Sequence, residues 1–181
     1  ISSYNKLSDD AKNAIGRIDT HSYSGSDRAG LQDLAESEHK NLWMSEVDGS
    51  VTAGTDAGEM ASALGFANLM KTDLNGMQPS AWIMWDAVDI HVDSQNKYDY
   101  ASEDAMYNDI GMDKGNGFWG IAIADHDTSD LLLTKKYYAY GQFSRYIEPG
   151  DTLIASGDNT VCAYDKKDNK AVIVAVNTAG T

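Results

Sequence analysis

At 181 residues, with 42% apolar and 23% charged side chains, the chain has an ordinary globular composition, which excludes disorder and suggests one domain, or one domain with part of a second. Twenty-eight acidic residues against 14 basic give a net charge of −14, which argues against a nucleic-acid partner, whose phosphates are gripped by Lys and Arg. A neutral ligand such as a sugar suits this surface better.

A single cysteine, Cys162, excludes an internal disulfide and reads as a small buried hydrophobe in an apolar alternating run. No apolar run approaches the ~20 residues of a membrane span and no signal peptide is present, so no membrane partner is expected. Ile1 is not a start methionine, so a missing targeting segment fits equally well.

Ser8 is placed to cap a short helix, with Leu7 as a staple, Asp9 and Asp10 in the first turn, and an end near Gly16. Arg17 to Tyr23 reads as a strand carrying Ile18, His21 and Tyr23. Ala29 to Lys40 reads as a helix with Leu31, Leu34 and Ala35 at core spacing. Leu42 to Ser45 is a short apolar strand that stops on Glu46 and the Asp48-Gly49 turn. Thr55 or Asp56 caps a longer helix running to about Asn75, on which Met60, Ala63, Leu64, Ala67, Met70 and Leu74 form an apolar stripe and Gly76 supplies the stop. Ala81 to Trp85 is a third strand, again ending on an acid, Asp86.

Strands that are apolar on both faces and alternate with helices predict a parallel sheet covered by helices. Positions 87–130 form a long excursion rich in Asp, Tyr, Asn and Gly, with one strand-like piece from Gly117 to Ala124. A connection of that length in a compact domain is usually functional. Thr134 to Ile147 reads as a helix with Tyr140, Phe143 and Ile147 inward, stopped by Pro149-Gly150. Strands at Thr152–Ala155, Thr160–Tyr164 and Ala171–Asn177 follow, the last two joined by a polar turn at Asp165–Lys170. A boundary near Gly150 therefore divides an α/β region, 1–150, from the start of an all-β region, 151–181. Three βα units leave open sheet edges, as in a piece of a barrel, and invite self-association.

The chemistry centres on Glu46. In a parallel α/β barrel the strand ends carry the catalytic groups, and glycoside hydrolysis needs paired carboxyl groups, one of which is the nucleophile in retaining enzymes. Glu46 fits that role, although most strand-terminal glutamates are merely solvated. His21 or Tyr23 on the preceding strand is within reach to hold it ionised. Trp43, Trp85 and Trp119 offer flat surfaces for sugar rings. Of Trp82 and Trp85, alternation puts one in the core and makes Trp85, at the strand mouth, the ligand candidate. Asp48, in the turn after Glu46, joins the substrate-binding candidates. The four histidines form no metal pattern, and the acids of Asp125-His126-Asp127 and of Asp86, Asp89 and Asp93 around His91 read as solvated loop residues. No metal and no cofactor are expected, and no phosphate loop, nucleophile elbow or Cys-His pair is evident.

These motifs together resemble glycoside hydrolase family 30. The resemblance rests on Asp19-Thr20-His21-Ser22-Tyr23, on Leu42-Trp43-Met44-Ser45-Glu46-Val47-Asp48-Gly49, and on Trp82-Ile83-Met84-Trp85. The Tyr-rich run from Lys135 to Gly150 completes it, and the order is the family's own. It implies a retaining enzyme whose (β/α)8 barrel carries a β-sandwich. The strands here would be the last three βα units of the barrel, and residues 151–181 the start of the sandwich. Glu46 matches the nucleophile at the seventh strand, His21 and Tyr23 the sixth-strand end, and Trp85 the eighth.

The wording around Glu46 is most similar to endo-β-1,6-galactanases; β-1,6-glucan, glucosylceramide and glucuronoxylan are the alternative family substrates. The resemblance implies an oligo- or polysaccharide partner and secretion. Nothing before His21 matches the family's acid/base Glu, so the chain by itself is expected to be inactive. A non-catalytic carbohydrate-binding protein is the competing reading.

Overall fold

A computed structural model describes residues 1–25, 27–49, 60–92 and 119–178. The chain forms two compact units, one of Ile1–Val47 with Thr72–Met84, the other of Asp48–Lys71 with Trp85–Thr181.

In the first unit, helices α1 (Ser2–Asn5) and α2 (Asp9–Ala14) precede strand β1 (Arg17–His21), helix α3 (Arg28–Ser37) and strand β2 (Asn41–Glu46). The C-terminal part of helix α4 (Met60–Met77) and strand β3 (Ala81–Trp82) complete it. The strands form a parallel sheet in the order β1-β2-β3, as the alternation of apolar strands and helices predicts. Ile18, Leu42 and Met44 are buried on one face, where α3 packs on β2. Arg17, Asp19, His21 and Trp43 take the alternate positions and remain partly or largely exposed.

Helix boundaries follow capping chemistry. Ser8 accepts a hydrogen bond from Ala11 N at 3.3 Å, and Asp27 accepts one from Gly30 N at 3.0 Å, so α3 starts one residue before the expected Ala29. It also ends three residues before Lys40, because His39 adopts φ +52°. The amides of His39 and Lys40 then donate to the carbonyls of Glu36 and Ala35 at 3.1 and 2.9 Å, a Schellman closure built on a non-glycine residue. Helix α4 likewise does not stop at Gly76. It runs to Met77, and Gln78 supplies the left-handed residue at φ +43°. Gly76 serves close approach instead, since a Cβ there would lie 2.9 Å from Cδ of Arg28 and 3.0 Å from its Cβ. The expected cap of α4 at Thr55 or Asp56 lies outside the described residues.

In the second unit, Ala63, Phe66, Ala67 and Met70 of α4 are buried, and Phe66 stacks on Tyr140 of helix α5 (Lys135–Ser144) with ring centres 6.2 Å apart. Burial raises the Tyr140 phenol above its ordinary pKa. Phe143 is buried as expected, whereas Ile147 lies beyond the end of α5 and is half-buried. Strands β4 (Val88–Val92), β5 (Ala122–Asp125) and β6 (Asp130–Leu133) form a sheet in that order, its first pair parallel and its second antiparallel. Only β5 was foreseen, as the end of the Gly117–Ala124 piece, whose Gly117 and Phe118 lie outside the described residues. Strands β7 (Thr152–Ile154), β8 (Thr160–Asp165) and β9 (Lys170–Ala175) form an antiparallel sheet. Cys162 is half-buried rather than buried, because alternation gives the inner positions of β8 to Val161 and Ala163.

The two tight hairpins of this unit use one device. Asp125 Oδ1 accepts from the amides of Asp127 and Thr128 at 2.9 and 3.3 Å, and Asp165 Oδ1 accepts from those of Lys167 and Asp168 at 2.8 and 3.0 Å. Each turn closes with a left-handed residue, Ser129 at φ +62° and Asn169 at φ +54°. Asp125 thus has a turn-forming role.

Candidate active site

Strand β2 pairs with β1 in simple register from Asn41 opposite Arg17 to Met44 opposite Thr20, and then Glu46 pairs with His21. Ser45 is an extra residue, held by its hydroxyl donating to the Thr20 carbonyl at 3.2 Å. Strict period-two alternation would group Glu46 with Leu42 and Met44, under the helices. The bulge reverses this. Leu42, Met44 and Val47 are buried, while Trp43 and Glu46 share the open face with Asp19 and His21. Bulges re-aim side chains in this way next to functional sites.

On that face the Tyr23 hydroxyl donates to Glu46 Oε1 at 2.9 Å. His21 Nδ1 lies 3.7 Å from the same oxygen, and the His21 and Tyr23 rings meet edge to face with centres 5.9 Å apart. A phenol donating to a carboxylate fixes its rotamer. Both contacts fall on Oε1. The Glu46 side chain is 31% exposed, enough for a ligand to reach it.

Trp43 lies on the same face, opposite Asp19 in the register, and the Arg17 guanidinium stacks on its ring 3.6 Å from the centre. Arg17 is also bound to Asp19 through Nε at 2.8 Å and Nη2 at 3.2 Å. The remaining three candidates belong to the second unit and meet through the backbone. Asp48 and Trp85 form an isolated parallel bridge, and Gly49 N donates to the Trp119 carbonyl at 2.8 Å. Trp85 and Trp119 are 54% and 38% exposed. Trp82, by contrast, is half-buried and points its indole N–H at Asp73.

Asp73 is a residue the sequence reading missed. Its fully buried carboxylate accepts from Arg28 Nε at 2.7 Å, Ser22 Oγ at 2.8 Å and Trp82 Nε1 at 3.0 Å. One signal was available, since Asp73 falls three residues after Met70 and four before Met77, within the apolar stripe of α4. A carboxylate in that position needs buried donors. Among the described residues no three His, Cys, Asp or Glu side chains are grouped to hold a metal ion, and no helix is long and apolar enough to cross a membrane.

No protein-family model matches the chain. Over 98% of its length it is 29% identical to an endo-β-1,6-galactanase of Hypocrea rufa. It is similar to glycoside hydrolases. An exo-β-1,6-galactobiohydrolase of Bifidobacterium longum is 25% identical over the whole chain. The chain spans 30% of the first relative's length and 13% of the second's. Its fold is similar to that of the catalytic domain of GH30 xylanase C from Talaromyces cellulolyticus, with a TM-score of 0.56 and 20% identity over 94% of this chain and 34% of that one.

Proposed function

We propose that this chain supplies the nucleophile side of a retaining glycoside hydrolase of family 30 that cleaves β-1,6-linked galactan. The observation that carries the reading is Glu46, turned onto the open face of a parallel sheet by the Ser45 bulge and held there by Tyr23 at 2.9 Å. With Oε1 engaged by Tyr23, Oε2 attacks the anomeric carbon as the glycosidic bond breaks, giving a glycosyl-enzyme ester. A second carboxyl group, about 5–5.5 Å away in such enzymes, protonates the leaving oxygen and then activates water to release the sugar. That second group lies outside this chain in our reading, so the 181 residues alone are inactive.

The sheet β1-β2-β3 is read as the last three strands of a (β/α)8 barrel. Parallel sheets are normally covered on both faces, and a face bearing Arg17, Asp19, His21, Trp43 and Glu46 suits a barrel interior with a polar mouth. Strands β7 to β9 then begin a β-sandwich, with the domain boundary near Gly150. The names of the two relatives support β-1,6-galactan as substrate, and a polymer of that kind implies an exported enzyme. Trp85 and Trp119 are proposed sugar platforms, with Asp48 beside them as a polar contact.

The test uses the full-length gene product. Glu46→Gln is expected to abolish turnover of β-1,6-galactan, and azide is expected to rescue Glu46→Gly in part, giving a glycosyl azide of inverted configuration. Undiminished turnover by Glu46→Gln rejects the assignment. Galactan binding by a wild-type protein that never turns it over replaces the enzyme with a carbohydrate-binding protein.

A further inference from the structure

We propose that Asp73 is a positioning residue for Glu46, acting through Ser22 and Tyr23; this rests on the nucleophile reading above. Asp73 draws donors from three elements of the first unit: Ser22 just after β1, Arg28 at the start of α3, and Trp82 on β3. Ser22 stands between the two residues that face Glu46. His21 and Tyr23 turn outward to the carboxylate, while the Ser22 hydroxyl turns inward and donates to Asp73 at 2.8 Å. The backbone of the same residue is tied to β2, since Ser22 N donates to the Glu46 carbonyl at 3.4 Å. The 21–23 segment is thus fixed on both sides, and its short span leaves Tyr23 little freedom once Ser22 is held.

The arrangement exceeds what stability alone requires. A buried ion pair is often replaceable by apolar side chains without loss of stability, and Arg28 alone would neutralise Asp73. Here the second carboxylate oxygen is given to Ser22 and Trp82, which tie α4 to the segment carrying Tyr23 and to the strand beside Glu46. Gly76, one turn further along α4, leaves room for Arg28 to reach the carboxylate.

The experiment measures kcat, KM and melting temperature for Ser22→Ala, Asp73→Asn and Tyr23→Phe in the full-length gene product. The groups facing Glu46 are His21 and the Tyr23 phenol. Losing the phenol's hydrogen bond frees the rotamer of the carboxylate and lowers kcat more than it changes KM. Ser22→Ala and Asp73→Asn are expected to lower kcat about tenfold through misplacement with KM little changed, and to add nothing to the loss of Tyr23→Phe when combined with it.

An unchanged kcat in both variants, with only the melting temperature lowered, overturns the proposal. So do losses of kcat that multiply with that of Tyr23→Phe. Should Asp73→Asn fail to fold, Ser22→Ala decides, because it removes one hydroxyl and leaves the ion pair. Full turnover by Glu46→Gln overturns the nucleophile reading itself. An inactive Glu46→Gln alongside an unchanged kcat in Ser22→Ala and Asp73→Asn overturns the role of Asp73 alone.

Discussion

Asp73 and Arg28 show how differently one buried pair behaves when it is broken and when it is replaced. Asp73 has no exposed side-chain surface and Arg28 has 20%. Asp73→Ala leaves a mostly buried guanidinium without its counter-charge and removes the carboxylate to which Ser22 and Trp82 donate, and is expected to cost about 3–5 kcal/mol. Replacing both members, Arg28→Met with Asp73→Leu, is expected to recover most of that loss. Urea denaturation of the single and double variants checks both expectations; a double variant as unstable as Asp73→Ala would reject this account. At this scale the sequence was legible for Glu46, His21 and Tyr23, which lie close together at neighbouring strand ends. Asp73 escaped because its partners stand 51, 45 and 9 residues away, and no local spacing announces them.

Helices and strands were legible in outline because periodicity reports burial, and burial dominates the energy of an element. Their ends were less so, because α3 and α4 both stop on left-handed residues that are not glycine, His39 and Gln78. Backbone hydrogen bonds close both ends at exposed residues, from His39 and Lys40 to Glu36 and Ala35 and from Gln78 to Leu74, and the glycine that looked like a stop has another task. Gly76→Ala therefore weighs two opposed effects. Helix propensity favours alanine by about 1 kcal/mol, while the new methyl would press on Arg28 near its own backbone, costing typically 1–3 kcal/mol. Net destabilisation is expected in a thermal melt, and a stabilised variant would show that Arg28 yields freely.

The Ser45 bulge was invisible for a different reason. An extra residue leaves the composition of β2 unchanged and alters only which face its last residue takes. Deleting Ser45 is expected to remove the bulge and leave Glu46 directly after Met44, where plain alternation keeps it on the open face opposite His21. The full-length product should then keep part of its turnover, unlike Glu46→Gln. Complete loss of turnover would mean that the bulge sets more than the face that Glu46 takes. β4 was missed although Val88, Ile90 and Val92 alternate, because the surrounding excursion of polar residues masked a five-residue strand.

For the molecule as a whole, the parallel sheet is the least self-sufficient part. Its outer strands, β1 and β3, each pair with β2 alone among the described residues. Unpaired strand edges are templates for further pairing. The isolated chain is accordingly expected to self-associate in sedimentation experiments as its concentration rises. A monomer at every concentration, with a cooperative melt, would contradict that.

The stacked group of Arg17, Asp19 and Trp43 has an electrical consequence for the open face. Arg17 and Asp19 are bound to each other, so their charges cancel at the start of β1, about 13 Å from His21 at the usual strand rise. Glu46 sits at the other end, against an uncharged phenol. The face is therefore polarised, with a neutralised floor and an anion at its rim, and its potential is most negative where the proposed reaction develops positive charge on the sugar ring. A cation freed from Asp19 at the floor would make the potential along the face less negative, so the short span from Arg17 to Asp19 keeps the rim anionic without any contact to a ligand.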